Sequence, residues 1–108
     1  MCVGTEMRSE SLDGLIVAIC ADFDRRANAI ESGSVTHRTE MEYSYLNYKI
    51  FEATAEIVGS YYAQDMIREI GARRGYAKTA IDDYSEKTYK VKKSQIKMNI
   101  AKKLHLID

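Results

Sequence analysis

The sequence predicts an all-α protein, and three observations lead to that fold class. Apolar residues recur at steps of three and four along most of the chain, which is the period of a helix with one buried face. The 108 residues include no proline, and glycines stand where the periodic segments end: Gly33, Gly59 and Gly75. Because this length suits one ordinary domain, we expect residues 1–108 to form a single helical domain.

The first predicted helix runs from Leu12 to Gly33. Its stripe, which only Arg26 interrupts, advances by steps of four, three, four and seven through Leu12, Ile16, Ile19, Phe23 and Ile30. Ser11 or Asp13 can cap its start, and Gly33 can end it in a left-handed turn. Residues 1–10 show no such period and are expected to be a frayed start.

A second predicted helix runs from about Thr36 to Val58, with a stripe formed by Tyr43, Leu46, Ile50, Ala53 and Ile57. Two N-cap residues are possible for this helix: Thr39, which has capping-box spacing with Glu42, and Ser34, which serves equally if the helix begins earlier. Only residues 31–35 separate the two stripes, so we expect residues 11–58 to form an antiparallel helical hairpin.

Met41, Tyr45 and Tyr48 lie off the stripe of the second helix. Their position predicts that this helix buries a second side, against a third helix or another subunit. The tyrosines around them suit helix–helix interfaces, where the ring is buried and the hydroxyl remains in contact with solvent. Dimerisation is the main alternative for this cluster, and stacking on nucleic-acid bases is a further one.

The C-terminal part, residues 61–107, is predicted to be helix-turn-helix-like. A helix over residues 61–74 ends at Gly75, and residues 76–83 are expected to contain one short helical turn at 79–82. The last helix begins at its cap, Ser85. It buries one face, which consists of Tyr89, Ile96, Ile100, Leu104 and Ile107.

Charge and cysteine usage limit the classes of protein. Residues 1–66 have five Lys or Arg and eleven Asp or Glu, whereas residues 67–108 have eleven and five. The net charge of zero therefore conceals an acidic body and a basic end that favours a polyanion. Cys2 and Cys20 have neither metal-ligand spacing nor a disulfide pattern, and no apolar run approaches the ~20 residues of a membrane span. A reduced, cytoplasmic location without membrane contact is expected.

No residue pattern points to catalysis, a metal or a cofactor. His37 lies beside a polar turn and His105 near the C-terminus, and neither has a nucleophile or carboxylate in a recognisable motif. The carboxylates fit charged helix surfaces better than a ligand cluster, and this holds for Asp22, Asp24, Glu52 and Glu56. We therefore expect a binding protein that is not an enzyme and uses no cofactor.

The lysine-rich last helix is the pattern that rises above background. Between Glu86 and Asp108 it contains no acid, so its positive charge is unopposed. With the apolar face turned inward, Thr88, Lys92 and Gln95 can reach base edges, while nearby lysines can meet phosphates. The predicted nucleic-acid-binding residues come from this helix and the basic segment before it: Arg73, Arg74, Lys78, Ser85, Lys87, Thr88, Lys90, Lys92, Gln95, Lys97 and Lys102.

The segment YSEKTYKVKKSQIKMNIAKKL, residues 84–104, resembles the C-terminal helix of phage transcriptional regulators of the ArpU/RinA type. Those regulators are similar to the helix-turn-helix of sigma factor region 4. The matching positions are Ser85, Thr88, Tyr89, Lys92, Lys93, Ala101 and Leu104. Residues 67–76 look like the first helix of that motif, although residues 76–84 form a longer connection than the family's short turn.

The resemblance implies a phage- or mobile-element-like transcription regulator that binds duplex DNA through its last helix. Homodimerisation stays open, and the N-terminal hairpin has two open roles, which are binding RNA polymerase and supporting the fold. The alternative is a protein–protein interaction or assembly module with no nucleic-acid role. Val91 and Met98 favour this alternative, because they lie opposite the inward face. An exposed basic face would support DNA binding, and a helix packed on both sides would support assembly.

Overall fold

The computed structural model describes residues 2–107, with side chains for residues 10–107, and all regular structure in this range is helical. The elements are α1 (Cys2–Ala21), α2 (Phe23–Ser32), α3 (His37–Val58), α4 (Ser60–Gly71), a 3₁₀ turn (Tyr76–Lys78) and α5 (Glu86–Lys103). The predicted all-α class is thus confirmed. The molecule measures 41 × 38 × 21 Å, which corresponds to two layers of helices of about 10 Å diameter. Helices in such layers keep one face toward solvent.

The helix predicted from Leu12 to Gly33 is two helices that meet at Asp22. It also begins earlier, so the expected frayed start is wrong for residues 2–10, while Met1 lies outside the described residues. A buried stripe is not needed there, since Glu, Met and Arg have good helix propensity and a nucleated helix propagates readily. None of the described helices combines the length and apolar character required to cross a bilayer.

Two polar side chains satisfy the backbone at the break between α1 and α2. Arg26, which interrupts the sequence stripe, is buried and donates to the carbonyl of Ile19 at 2.6 Å and to Asn47 Oδ1 at 2.7 Å. Asn47 in turn donates to the carbonyl of Phe23 at 3.1 Å. Burying these groups is tolerable because their hydrogen bonds are made. Arg26 is therefore part of the core and holds α2 against α3.

The antiparallel hairpin consists of α2 and α3 alone, because α1 turns away at the break to pack on α4 and α5. Gly33 ends α2 with φ 68°, as predicted. The cap of α3 is Thr36, whose hydroxyl accepts from the amide of Thr39 at 3.2 Å. Neither predicted cap is used, since Thr36 itself takes the extended conformation that a cap residue requires.

The end of α4 and the following turn differ from the prediction. The helix ends at Gly71, because Arg73 adopts the left-handed conformation (φ 56°) and the amide of Arg74 closes back on the carbonyl of Glu69 at 2.9 Å. The turn expected at 79–82 lies instead at Tyr76–Lys78. Thr79 is extended and leads to Ile81, whose fully buried side chain anchors this connection.

The last helix, α5, begins at the predicted cap Ser85, whose hydroxyl accepts from the amide of Thr88 at 3.2 Å. It runs antiparallel to α3, with Asn99 donating to the carbonyl of Ala53 and Lys103 to Glu52. Most of its predicted inner face is buried, and the last two positions pack at the core edge: Tyr89, Ile96, Ile100, Leu104 and Ile107. Both α4 and α5 pack chiefly on α3, and residues 72–85 between them exceed the ~3–4-residue turn of a helix-turn-helix.

The thiol of Cys20 lies in the core, where burial raises its pKa from 9.0 to about 12. The folded state then keeps a proton that the unfolded state loses, so stability should fall as pH rises above 9. For one proton the slope is at most about 1.4 kcal/mol per pH unit. Thermal melting followed by circular dichroism between pH 8 and 10 measures it. The Cys20→Ala variant should show a flatter decline, and equal declines would contradict this assignment.

Candidate nucleic-acid interface

One long face of α5 points away from the core. Tyr89, Ile96 and Ile100 turn inward, and the residues on the opposite side are exposed: Lys87, Val91, Ser94, Gln95, Met98 and Lys102. We call these six residues the outer face of α5. No carboxylate belongs to it, because the only acid of this helix, Glu86, precedes it.

The predicted cations fall into two groups. Members of the first group are exposed and form no ion pair with a carboxylate among residues 10–107: Arg73, Arg74, Lys78, Lys87 and Lys102. These ammonium and guanidinium groups are available to an anionic ligand. Thr88 and Gln95, the predicted polar readers, are exposed as well.

The second group of lysines is engaged by the protein itself. Lys97 pairs with Asp13 of α1 at 2.7 Å, and Lys90 pairs with Glu86 at 2.9 Å. Lys92 is half-buried, with its ammonium 3.5 Å from the carbonyl of Ile57. Lys92 and Lys97 therefore contribute to the packing of α5 on its neighbours and offer less charge to a ligand, whereas the Lys90–Glu86 pair lies within α5 and is an exposed surface interaction.

The basic segment after α4 is held against the first half of α5. Lys93 donates to the carbonyl of Arg74 and lies over the ring of Tyr89, 5.4 Å from its centroid. Burial and the nearby charge of Lys97 lower the pKa of Lys93. The structure thus brings Arg73 and Arg74 beside α5, although they are not part of a helix as the sequence predicted.

The N-terminal end of α5 is acidic. Asp82, Asp83 and Glu86 are exposed around Ser85, and Asp83 accepts a hydrogen bond from Tyr62 that helps raise the pKa of this tyrosine to about 12. The hydroxyl of Ser85 is occupied by the amide of Thr88 and lies 3.1 Å from the Thr88 hydroxyl. A phosphate would therefore meet the middle and C-terminal part of the outer face more favourably than its first turn.

The sequence analysis did not identify Glu69, a buried residue of α4 that holds the connection and α5 in place. Glu69 is 2% exposed and accepts three hydrogen bonds, from Thr79 Oγ1 (2.5 Å), the amide of Ala80 (2.8 Å) and the hydroxyl of Tyr89 (2.6 Å). It joins α4, the connection and α5, and burial with this bond raises the pKa of Tyr89 to about 12. The available signal was an acid three residues after Met66, a spacing that places it on the same side of the helix as the apolar stripe of Met66 and Ile70.

Shallow grooves lie on both sides of Met98. One, of about 250 Å³, separates α5 from α1 and is lined by Leu12, Asp13, Ile16, Ser94, Lys97 and Met98. The other, of about 330 Å³, separates α5 from α3 and is lined by Ile57, Gln95, Met98, Asn99 and Lys102. Met98 is 49% exposed and Val91, seven residues earlier, is 47% exposed. The outer face therefore has an apolar centre line between polar and cationic residues.

The described part of the chain contains no group of three or more His, Cys, Asp or Glu arranged to hold a metal ion. His37 stands at the first position of α3, and His105 follows α5 in the left-handed conformation (φ 60°); both are exposed. Comparison of the chain with protein-family models, curated proteins and solved structures gave no match.

Proposed function

We propose that this protein binds duplex DNA through the outer face of α5 and acts as a transcription regulator. The observation that carries the proposal is the exposure of this face, which presents Lys87 and Lys102 and contains no carboxylate. DNA affinity comes largely from such phosphate-facing cations. The regulatory role rests on the resemblance of residues 67–104 alone, and a contact of the N-terminal hairpin with RNA polymerase stays a prediction.

In this proposal the exposed cations and the polar side chains have different roles. Lys102, at the C-terminal end of α5, is the main phosphate contact, and Lys87, four helical turns away beside the acidic N-terminal end, is the weaker one. Arg73 and Arg74 add charge from the segment fixed beside α5 by Lys93. Gln95 occupies the middle of the outer face, where it can reach a base edge in the major groove.

Removing the two lysines of the outer face should weaken DNA binding. We expect Lys87→Ala with Lys102→Ala to lower the affinity for random duplex DNA and to reduce the salt slope by about 1 to 2, with the larger share from Lys102. Fluorescence anisotropy with a labelled duplex at several salt concentrations measures both quantities.

The matched control removes two arginines that are not part of the outer face. Arg25→Ala with Arg68→Ala makes the same change in net charge, and these residues lie on α2 and α4, where they pair with Asp22 and Asp24. The control should retain the slope. Absence of binding by the wild type at low salt, or equal losses in both double variants, would contradict the proposal.

The exposed Val91 and Met98 favour a second candidate, a protein–protein interaction module whose partner covers the outer face of α5. The variant Val91→Thr with Met98→Gln removes the apolar centre line and keeps every charge. DNA binding through phosphates should survive this change with its salt slope intact. If the wild type does not bind DNA but binds a protein, and the Val91→Thr, Met98→Gln variant does not bind that protein, the second candidate function is supported.

A further inference from the structure

The outer side of α3 carries an apolar stripe that nothing in the described part of the chain covers. Met41, Tyr45 and Tyr48 are 60%, 52% and 60% exposed. The sequence predicted that this side would be buried, and no third helix fills that role. We call these three residues the α3 stripe.

The α3 stripe lies opposite the core face of the same helix. Its residues and Glu52 follow one another by steps of four, three and four, so they share one side, whereas Ile50 and Ala53 point into the core. A helix of 22 residues is about 33 Å long. The stripe itself, from Met41 to Tyr48, covers about 10 Å of that length and has the spacing for packing along another helix.

The charges beside the stripe alternate in an order that complements its own reverse. Between residues 38 and 52 the charges on this side of α3 read Arg38, Glu42, Lys49 and Glu52, which is plus, minus, plus, minus, while Glu40 lies on the other side of the stripe. In an antiparallel pair centred on Tyr45, Arg38 would meet Glu52 of the second copy and Glu42 would meet Lys49. A parallel, in-register pair could not make the first of these contacts, because Arg38 and Glu52 would then lie about 21 Å apart along the helix axis.

Arg38 is the most available of these charges, whereas Lys49 and Glu52 are half-buried and pair with each other at 3.8 Å. The Arg38 side chain is 92% exposed, and its pair with Glu42 within the same helix, at 3.5 Å, is a weak surface interaction. Lys49 lies over the rings of Tyr45 and Tyr48, 5.6 and 5.8 Å from their centroids, so it is held at the stripe itself.

We propose that the α3 stripe is the contact between two copies of this chain, which pair antiparallel about a two-fold axis at Tyr45. The contact is isologous, so Met41 of each copy packs beside Tyr48 of the other. One helix face gives a small interface, and the dimer should therefore dissociate on dilution. The pairing does not depend on DNA binding, but it would present the outer face of α5 twice about the same axis.

Sedimentation of the protein without DNA over a range of concentrations tests this proposal. The wild type should shift from a 12.3 kDa monomer to a dimer as concentration rises. Tyr45→Glu buries charge at the axis and should remain monomeric, whereas the control Val91→Glu, at a similarly exposed position of α5, should dimerise like the wild type. A monomeric wild type, or a Tyr45→Glu variant that still dimerises, would overturn the proposal.

Substitutions of the charges beside the stripe test the antiparallel register of the dimer. They also test the proposal if the Tyr45→Glu variant fails to fold. Arg38→Glu should weaken the dimer by setting two acids opposite each other, and adding Glu52→Gln, which removes one of the opposing acids without placing a new cation beside Lys103, should restore it in part. Lys87→Glu, the same reversal on α5, should leave the dimer intact. Failure of the second substitution to strengthen the dimer would overturn the antiparallel pairing, while DNA binding by a monomer would leave the proposed function standing.

Discussion

Gly71→Ala is expected to destabilise the fold by about 2–3 kcal/mol, although alanine is the better helix former. Gly71 is the last residue of α4 and lies directly against the backbone of α1. A Cβ placed there would lie 2.6 Å from the amide nitrogen of Ala21 and 2.8 Å from the carbonyl carbon of Cys20. Since these atoms are backbone, the clash can be relieved only by separating the two helices.

Gly14→Ala is the matched control for this prediction. Gly14 lies within α1, and a Cβ added there would meet no heavy atom within 4 Å among the described contacts. This substitution should stabilise the protein by about 0.5–1 kcal/mol through helix propensity. Urea unfolding followed by circular dichroism gives both values. If the two substitutions changed stability in the same direction, the close approach of α4 to α1 would be wrong.

The sequence was sufficient for features that depend on neighbours a few residues apart. The stripes of α3 and α5 follow from helical period, and the caps at Gly33 and Ser85 follow from the conformations that these residue types favour. Each of these signals is local, so these features can be predicted without knowing any contact between distant parts of the chain.

Features that depend on distant contacts could not be predicted in this way. The break at Asp22 requires Arg26 to meet Asn47 of α3, and the early end of α4 accompanies the contacts of Glu69 with the connection. Arg26 and Glu69 are polar members of apolar stripes, and the sequence alone does not say which groups form hydrogen bonds with them.

The candidate interface was predicted only in part for the same reason. Helical period placed Lys87 and Lys102 on the exposed side of α5 correctly. It could not show that Lys97 pairs with Asp13, which is 84 residues away, or that Lys92 reaches the backbone of α3. The number of lysines in a helix therefore overstates the charge that the helix offers to a ligand.

Glu69→Ala should be the other strongly destabilising substitution, with a cost of about 3–4 kcal/mol. It leaves the hydroxyls of Thr79 and Tyr89 and the amide of Ala80 without their acceptor. The Tyr89 bond is buried and the other two are partly buried, and an unsatisfied buried donor costs about 1–3 kcal/mol before relaxation. Tyr89→Phe removes only one of these bonds and should cost about 1 kcal/mol. Glu31→Ala, at an exposed position, should stay within about 0.5 kcal/mol of the wild type.

The location of the damage separates this role of Glu69 from a general loss of packing. Because Glu69 ties the connection to α4 and α5, Glu69→Ala should loosen residues 72–85 before the rest of the fold. Trypsin should then cut at Arg73, Arg74 or Lys78 at temperatures where α3 remains helical. If the connection stayed as protected as in the wild type, Glu69 would not be what orders it. Loosening it would also release the two arginines that the proposed DNA interface needs beside α5, so DNA affinity should fall with this protection.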